Sequence, residues 1–185
     1  MRKILIIALV LIMIPAALFA KNFSFGIGAT ASTGATISGV IENELDVIKP
    51  ENFVYGAYAN VKLLIFSANA TLFPVFEESM TYFAGDLSAG LALDIAVLRV
   101  QAGISVNYVG STNFSDSVEF AFETEDIKDA PLNVRAEVDV LLGNLNVGVW
   151  GILPTTATLN TLDKILEVED RWQDASIGVC IGVCF

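Results

Sequence analysis

The sequence predicts an all-β protein, an eight-stranded antiparallel up-and-down transmembrane β-barrel. Three observations predict it. Hydrophobicity alternates with a period of two in eight segments, the connections between those segments alternate short and long, and one face of the segments is aliphatic while the other mixes small residues with charges. Successive side chains of a strand point to opposite faces, so a sustained period of two reports a strand with a different environment on each side.

Ahead of the barrel, Met1, Arg2 and Lys3 give a positively charged start, residues 4–19 form an uncharged apolar run, and Ala20 precedes Lys21. This is the pattern of a secretory signal, so residues 1–20 are expected to be removed and residues 21–185 to form the barrel. The run is slightly short of the ~20 residues of a spanning helix.

The first strand begins at Phe23 and sets Phe23, Phe25, Ile27, Ala29 and Ala31 against Ser24, Gly26, Gly28, Thr30 and Ser32. The second sets Phe53, Tyr55, Ala57, Ala59 and Val61 against Val54, Gly56, Tyr58, Asn60 and Lys62. In the third, Phe66, Ala68, Ala70 and Leu72 oppose Ser67, Asn69 and Thr71; in the fourth, Leu87, Ala89, Leu91 and Leu93 oppose Asp86, Ser88, Gly90, Ala92 and Asp94. The fifth opposes Val100, Ala102, Ile104, Val106 and Tyr108 to Arg99, Gln101, Gly103, Ser105 and Asn107. In the sixth, Leu132, Val134, Ala136, Val138 and Val140 alternate with Asn133, Arg135, Glu137 and Asp139. The seventh, less regular, sets Leu145, Val147 and Val149 against Asn146, Gly148 and Trp150. The last sets Ala175, Ile177, Val179, Ile181, Val183 and Phe185 against Ser176, Gly178, Cys180, Gly182 and Cys184. Each approaches the ~9–11 residues with which a tilted strand crosses a bilayer, and an even number can close on itself.

Tight turns join strands two and three, four and five, and six and seven, around residues 63–65, 95–98 and 141–144, whereas residues 33–52, 74–82, 110–131 and 154–174 form long gaps. Strict alternation is what an up-and-down barrel with both ends on the short-turn side requires. The pentapeptides Val61-Lys62-Leu63-Leu64-Ile65, Leu93-Asp94-Ile95-Ala96-Val97 and Val138-Asp139-Val140-Leu141-Leu142 share one pattern, apolar, charged, then three apolar, and read as a repeated hairpin unit. In the last gap, Leu162, Ile165, Leu166 and Val168 suggest a short amphipathic helix over the barrel mouth.

Which face turns inward separates two kinds of protein. A soluble lipocalin-like barrel lines a ligand cavity with its apolar face. Here the polar face is dominated by small residues and carries Lys62, Arg99 and Arg135 against Asp86, Asp94, Glu137 and Asp139, with Tyr58 and Trp150 adding bulk. That composition suits the narrow interior of an eight-stranded barrel, which side chains can fill. These seven charges are expected to form a self-neutralising lumen network. Every other acid falls in the long gaps, at the wet end, and Phe23, Phe25, Phe66 and Phe185 at one end with Phe53, Tyr55 and Tyr108 at the other match the aromatic girdles of membrane barrels.

Composition narrows the function. A net charge of −11 repels phosphate backbones, so no nucleic-acid partner is expected. The absence of histidine removes the commonest general base and metal ligand, and two cysteines cannot close a structural zinc site, so neither an enzyme nor a cofactor or metal is expected. Cys180 and Cys184, four apart in one strand, lie roughly 13 Å from each other and cannot form a disulfide.

Phe185 at the C-terminus, with Val183, Ile181 and Val179 at alternate positions before it, resembles the terminal-strand signature of bacterial outer-membrane proteins, although Val183 stands where an aromatic is common. With the signal segment and the eight-strand plan, the chain looks like the small OmpA, OmpX and OmpW group, without the peptidoglycan-binding domain of a full OmpA-like anchor. The resemblance implies a place in the bacterial outer membrane, the lipid bilayer as partner, and assembly by the barrel-assembly machinery through Val179, Ile181, Val183 and Phe185. It implies a structural or surface-interaction role through acidic external loops; OmpW-like transport of small apolar solutes and a secreted or periplasmic lipocalin-like ligand-binding barrel are the alternatives. No residue pattern names an external ligand.

Overall fold

The period-two segments pair into one antiparallel sheet in the computed structural model, which describes residues 23–33, 53–76, 81–113, 117–121, 127–166 and 174–185. The expected signal segment and most of the acidic loop residues lie outside them. The strands are β1 (Phe23–Thr33), β2 (Phe53–Leu63), β3 (Phe66–Phe76), β4 (Thr81–Ile95), β5 (Leu98–Asn113), β6 (Ser117–Ala121), β7 (Leu132–Leu142), β8 (Leu145–Pro154) and β9 (Ser176–Cys184). Their order is β4-β3-β2-β1-β9-β8-β7-β5, and pairing of β4 with β5 closes the circle, so eight strands make an up-and-down barrel. Closure removes every edge from the wall.

The ninth strand corrects the sequence reading. β5 runs on past Val106, where its pairing with β7 ends, and β6 folds back on it from Val109↔Ala121 to Asn113↔Ser117. Gly110, Ser111, Thr112 and Asn113 carry no apolar alternation, so only cross-strand hydrogen bonding makes them a strand. Similarly β3 and β4 extend through most of residues 74–82, with Pro74 opposite Phe83. A proline breaks the pattern that marks a strand, yet its carbonyl side can still sit in a ladder. The third pentapeptide also proves offset: Lys62 and Asp94 lie two residues before their turns, Asp139 four before Gly143. Leu162–Leu166 forms a 3-10 helix; the remainder of the expected helix lies outside the described residues.

All three tight turns have two residues, Leu64-Ile65, Ala96-Val97 and Gly143-Asn144, and a positive φ at the first, 58°, 56° and 68°. Only at Gly143 does the residue suit that conformation. Replacing Ala96 by Gly is therefore expected to stabilise the barrel by about 0.5–1 kcal/mol, the left-handed penalty less the entropy a glycine adds to the unfolded chain. Equilibrium urea unfolding in lipid vesicles checks it, with Gly143→Ala expected to shift the opposite way.

The wall segregates by parity. Along β9, Val179, Ile181 and Val183 face out, Ile181 being 52% exposed, while Gly178, Cys180, Gly182 and Cys184 face in and are buried. Along β7, Val138 and Val140 face out while Arg135, Glu137 and Asp139 are buried. Phe23, Phe66 and Phe185 are about 60% exposed near the turn end, as is Tyr55 near the other. An exterior so uniformly apolar would associate in water, and its natural solvent is hydrocarbon. The barrel is thus inside-out relative to a soluble one, which disfavours the lipocalin-like alternative.

Candidate functional site: the lumen

Alternation along each strand delivers the inward set, and closure stacks it in layers. Nearest the turns, Asp94 accepts from Lys62 Nζ (2.8 Å), Arg99 Nε (2.8 Å) and Arg99 Nη2 (3.3 Å). Asp94 and Arg99 are directly opposed across the β4–β5 ladder, while Lys62 reaches over from β2. Both cations are essentially sealed from solvent, and the triad carries one positive charge in excess.

In the middle layer, Arg135 donates from Nη1 to both oxygens of Asp86 (2.7 and 2.9 Å) and from Nη2 to Glu137 Oε2 (2.9 Å). Its guanidinium carbon also lies 4.9 Å from the centroid of the Trp150 ring, a cation–π contact. Asp139, fully buried, makes no ion pair among the described residues; it accepts from Gln101 Nε2 (3.0 Å) and lies 3.7 Å from Cys180 Sγ. Cys180 Sγ is also 3.6 Å from Glu137 Oε1. Both cysteines are free and buried. By ion pairs the seven charged residues thus separate into Lys62–Asp94–Arg99 and Asp86–Arg135–Glu137, while Asp139 lies beside Glu137 and Cys180, their polar side-chain atoms within 4.8 Å of one another. Over all seven, four acids against three bases leave one negative charge: the first cluster carries one positive charge in excess, the second one negative, and Asp139, which stands opposite Arg99 across the β5–β7 ladder, a further negative one.

Against the middle layer the lumen is plugged by rings. Tyr58 donates to Asn146 Oδ1 (2.7 Å), Trp150 Nε1 donates to Thr30 Oγ1 (2.9 Å), and Thr30 in turn donates to the Val179 carbonyl (3.0 Å). Phe73 packs 6.4 Å from Trp150 between ring centroids, and Ile152 and Cys180 complete the cluster. Two glycines make the room: a Cβ at Gly178 would stand 2.3 Å from Trp150 Cζ2, and one at Gly182 would stand 2.5 Å from the Tyr58 hydroxyl. Beside Arg135, a cavity lined by Ser67, Asn69, Ser88 and Glu137 measures only about 10 Å³, the room of one water, whereas a cavity of about 240 Å³ lies at the turn end against Ser24, Asp94, Arg99 and Cys184.

Thr71 and Tyr108 make wall contacts that parity alone did not reveal. The β3–β4 ladder is paired up to Ala70↔Leu87 and again from Phe73↔Ala84. Between these pairs the Asp86 N–H donates to the Thr71 hydroxyl (3.1 Å), that hydroxyl donates to Asp86 Oδ1, and the Tyr108 hydroxyl, crossing outside Gly85, donates to the Thr71 carbonyl (2.6 Å). Side chains replace backbone bonds here, tying the wall to the Arg135 network. Phe73 and Ile152 were likewise unassigned, because each falls where the sequence pattern gives way to Pro74 or Pro154.

The four residues read as the assembly signal, Val179, Ile181, Val183 and Phe185, all face outward. Phe185 exchanges backbone bonds with Phe25, donating at 2.8 Å and accepting at 3.2 Å, and thereby extends the β1–β9 seam by one pair.

No protein-family model and no curated protein matches the chain. Among solved structures, Neisserial surface protein A is similar at 13% identity and a TM-score of 0.42, over 89% of this chain and 96% of that one. The attachment invasion locus protein Ail of Yersinia pestis, solved with the heparin analogue sucrose octasulfate, is similar at 12% identity and a TM-score of 0.40, over 88% and 97%.

Proposed function

We propose that this chain is an integral, non-enzymatic barrel of the bacterial outer membrane, exported by its first twenty residues and inserted by the barrel-assembly machinery through its last strand. Its role is structural or is exercised by its acidic external loops in surface interaction. The observation that carries this reading is the filled middle of the lumen: ion clusters and packed rings leave a water-sized space beside Arg135, and the larger cavity of about 240 Å³, lined by Ser24, Asp94, Arg99 and Cys184, lies at the turn end only. With the interior occupied by its own side chains, what remains for contact with the surroundings is the lipid-facing wall and the loop end. The absence of histidine and the confinement of all acids but four to the loop segments support the same reading.

Planar-bilayer recording tests it. The purified wild type is expected to conduct little; large, stable single-channel currents would defeat the filled-lumen reading. A second reading, transport of small apolar solutes, draws on one observation, the β3–β4 ladder interrupted at Thr71 and Asp86, where the wall is held by side chains. Loss of apolar-solute uptake in a deletion strain, restored by the wild type, would promote it.

A further inference from the structure

Turns that meet water are built from polar residues, with Gly, Asn or Asp where φ is positive. Two of the three tight turns depart from this. The stretches Leu63-Leu64-Ile65-Phe66 and Ile95-Ala96-Val97-Leu98 contain no polar side chain, whereas the third turn is Gly143-Asn144. Leu64 and Val97, at the tips, are 52% and 55% exposed. Apolar surface continues from these tips into the lipid-facing wall, since Phe23, Leu63 and Phe66 lie side by side on three adjacent strands. Among the described residues the charged side chains nearest these two turns, Lys62, Asp94 and Arg99, turn into the lumen and pair with one another.

The backbone is equally suited to a medium without water. At each turn the carbonyl of the second residue accepts from a strand of the next hairpin: Ile65 from Ala92 N–H (2.8 Å), Val97 from Leu141 N–H (2.6 Å) and Asn144 from Cys184 N–H (2.6 Å). Unpaired backbone groups are strongly disfavoured in hydrocarbon, so such mutual capping is what immersion demands.

We propose that the β2–β3 and β4–β5 turns are immersed in the acyl layer of the adjacent leaflet instead of projecting into water. Lipid is the occupant of these tips because their surface is continuous with the belt that lipid already covers. The β7–β8 turn, with Asn144, reaches the headgroups, so the barrel sits deeper on its β2–β5 side. This rests on the membrane-spanning fold.

Nitroxide labels at Leu64, Val97, Asn144 and the mid-wall position Ile181, each in a Cys180→Ser, Cys184→Ser background and folded into phosphatidylcholine vesicles, test the proposal through collision rates with oxygen and with a water-soluble nickel complex. Labels at Leu64 and Val97 are expected to show a several-fold higher oxygen-to-nickel ratio than the label at Asn144, approaching that at Ile181. Nickel access at Leu64 and Val97 equal to that at Asn144, with Ile181 still protected, overturns the immersion and leaves the membrane-spanning reading intact; nickel access at Ile181 as well overturns both. Protection of the two tips from oxygen and nickel alike means that a second copy covers them, and overturns lipid as the occupant. If a labelled variant fails to fold, hydrogen exchange of the wild type in nanodiscs supplies the same decision: amides of residues 64–65 and 96–97 exchange more slowly than those of 143–144, and equal rapid exchange at all three turns overturns the proposal.

Discussion

Arg135→Ala is expected to destabilise the folded barrel by ~3–5 kcal/mol, the cost of stranding buried charge when one partner of an ion cluster is removed. Arg135 is the only cation on Asp86 and Glu137 among the described residues, and all three are nearly inaccessible. The same substitution removes the face-on contact with Trp150, so the plug loosens with the ions. Equilibrium unfolding in lipid vesicles, followed by the heat-modifiable gel shift, reads the loss. Arg135→Lys is expected to recover only part of it, because an ammonium does not reproduce a planar fork that meets two oxygens of Asp86 and one of Glu137. A triple variant that adds Asp86→Asn and Glu137→Gln to Arg135→Ala removes the stranded charges and should lie closer to the wild type than Arg135→Ala. Should Arg135→Ala unfold like the wild type, the middle layer is wet and its ions are solvated, and the filled-lumen account fails with it.

Deletion of Phe185 is expected to have the larger effect in cells, a marked fall in folded protein in the membrane fraction. Two losses combine. The backbone exchange with Phe25 disappears from the seam that closes β9 on β1, where open backbone in lipid is costly by several kcal/mol per group. The outward aromatic that ends the series Val179, Ile181, Val183 is lost too, and with it the recognition element we assign to the assembly machinery. Heat-modifiability in isolated membranes measures the folded fraction. Refolding of purified protein into vesicles separates the two contributions: a deletion that refolds well in vitro yet fails in cells points to recognition, and failure in both points to the seam. Unchanged yields in both would count against assembly through the last strand.

Much of this protein was legible in its sequence because a barrel wall is written locally. Whether Ile181 faces out and Cys180 in follows from alternation, and eight alternating segments joined by alternately short and long connections leave little choice of topology. The inward direction of Lys62, Asp86, Asp94, Arg99, Arg135, Glu137 and Asp139 was readable for the same reason, since each shares a face with small residues opposite an aliphatic one. What alternation cannot supply is height and neighbourhood around the barrel. Lys62 meets Asp94 from two strands away, Arg135 spans β7 to β4 to reach Asp86, and Asp139 is left to Gln101 and Cys180, outcomes set by strand tilt and register once the sheet closes. Strand ends were hidden as well: Pro74 and the polar residues after Tyr108 break the apolar rhythm, while pairing with Phe83 and with β6 keeps the chain extended. The sequence alone determined the eight barrel strands, their connectivity and the face shown by residues in the middle of the wall; only the tertiary structure decided the ninth strand, the burial of Ala31, Leu132 and Ala175 and the exposure of Val54 near the loop end, and which charges meet, because those outcomes depend on contacts between residues distant in sequence whose proximity exists only after closure.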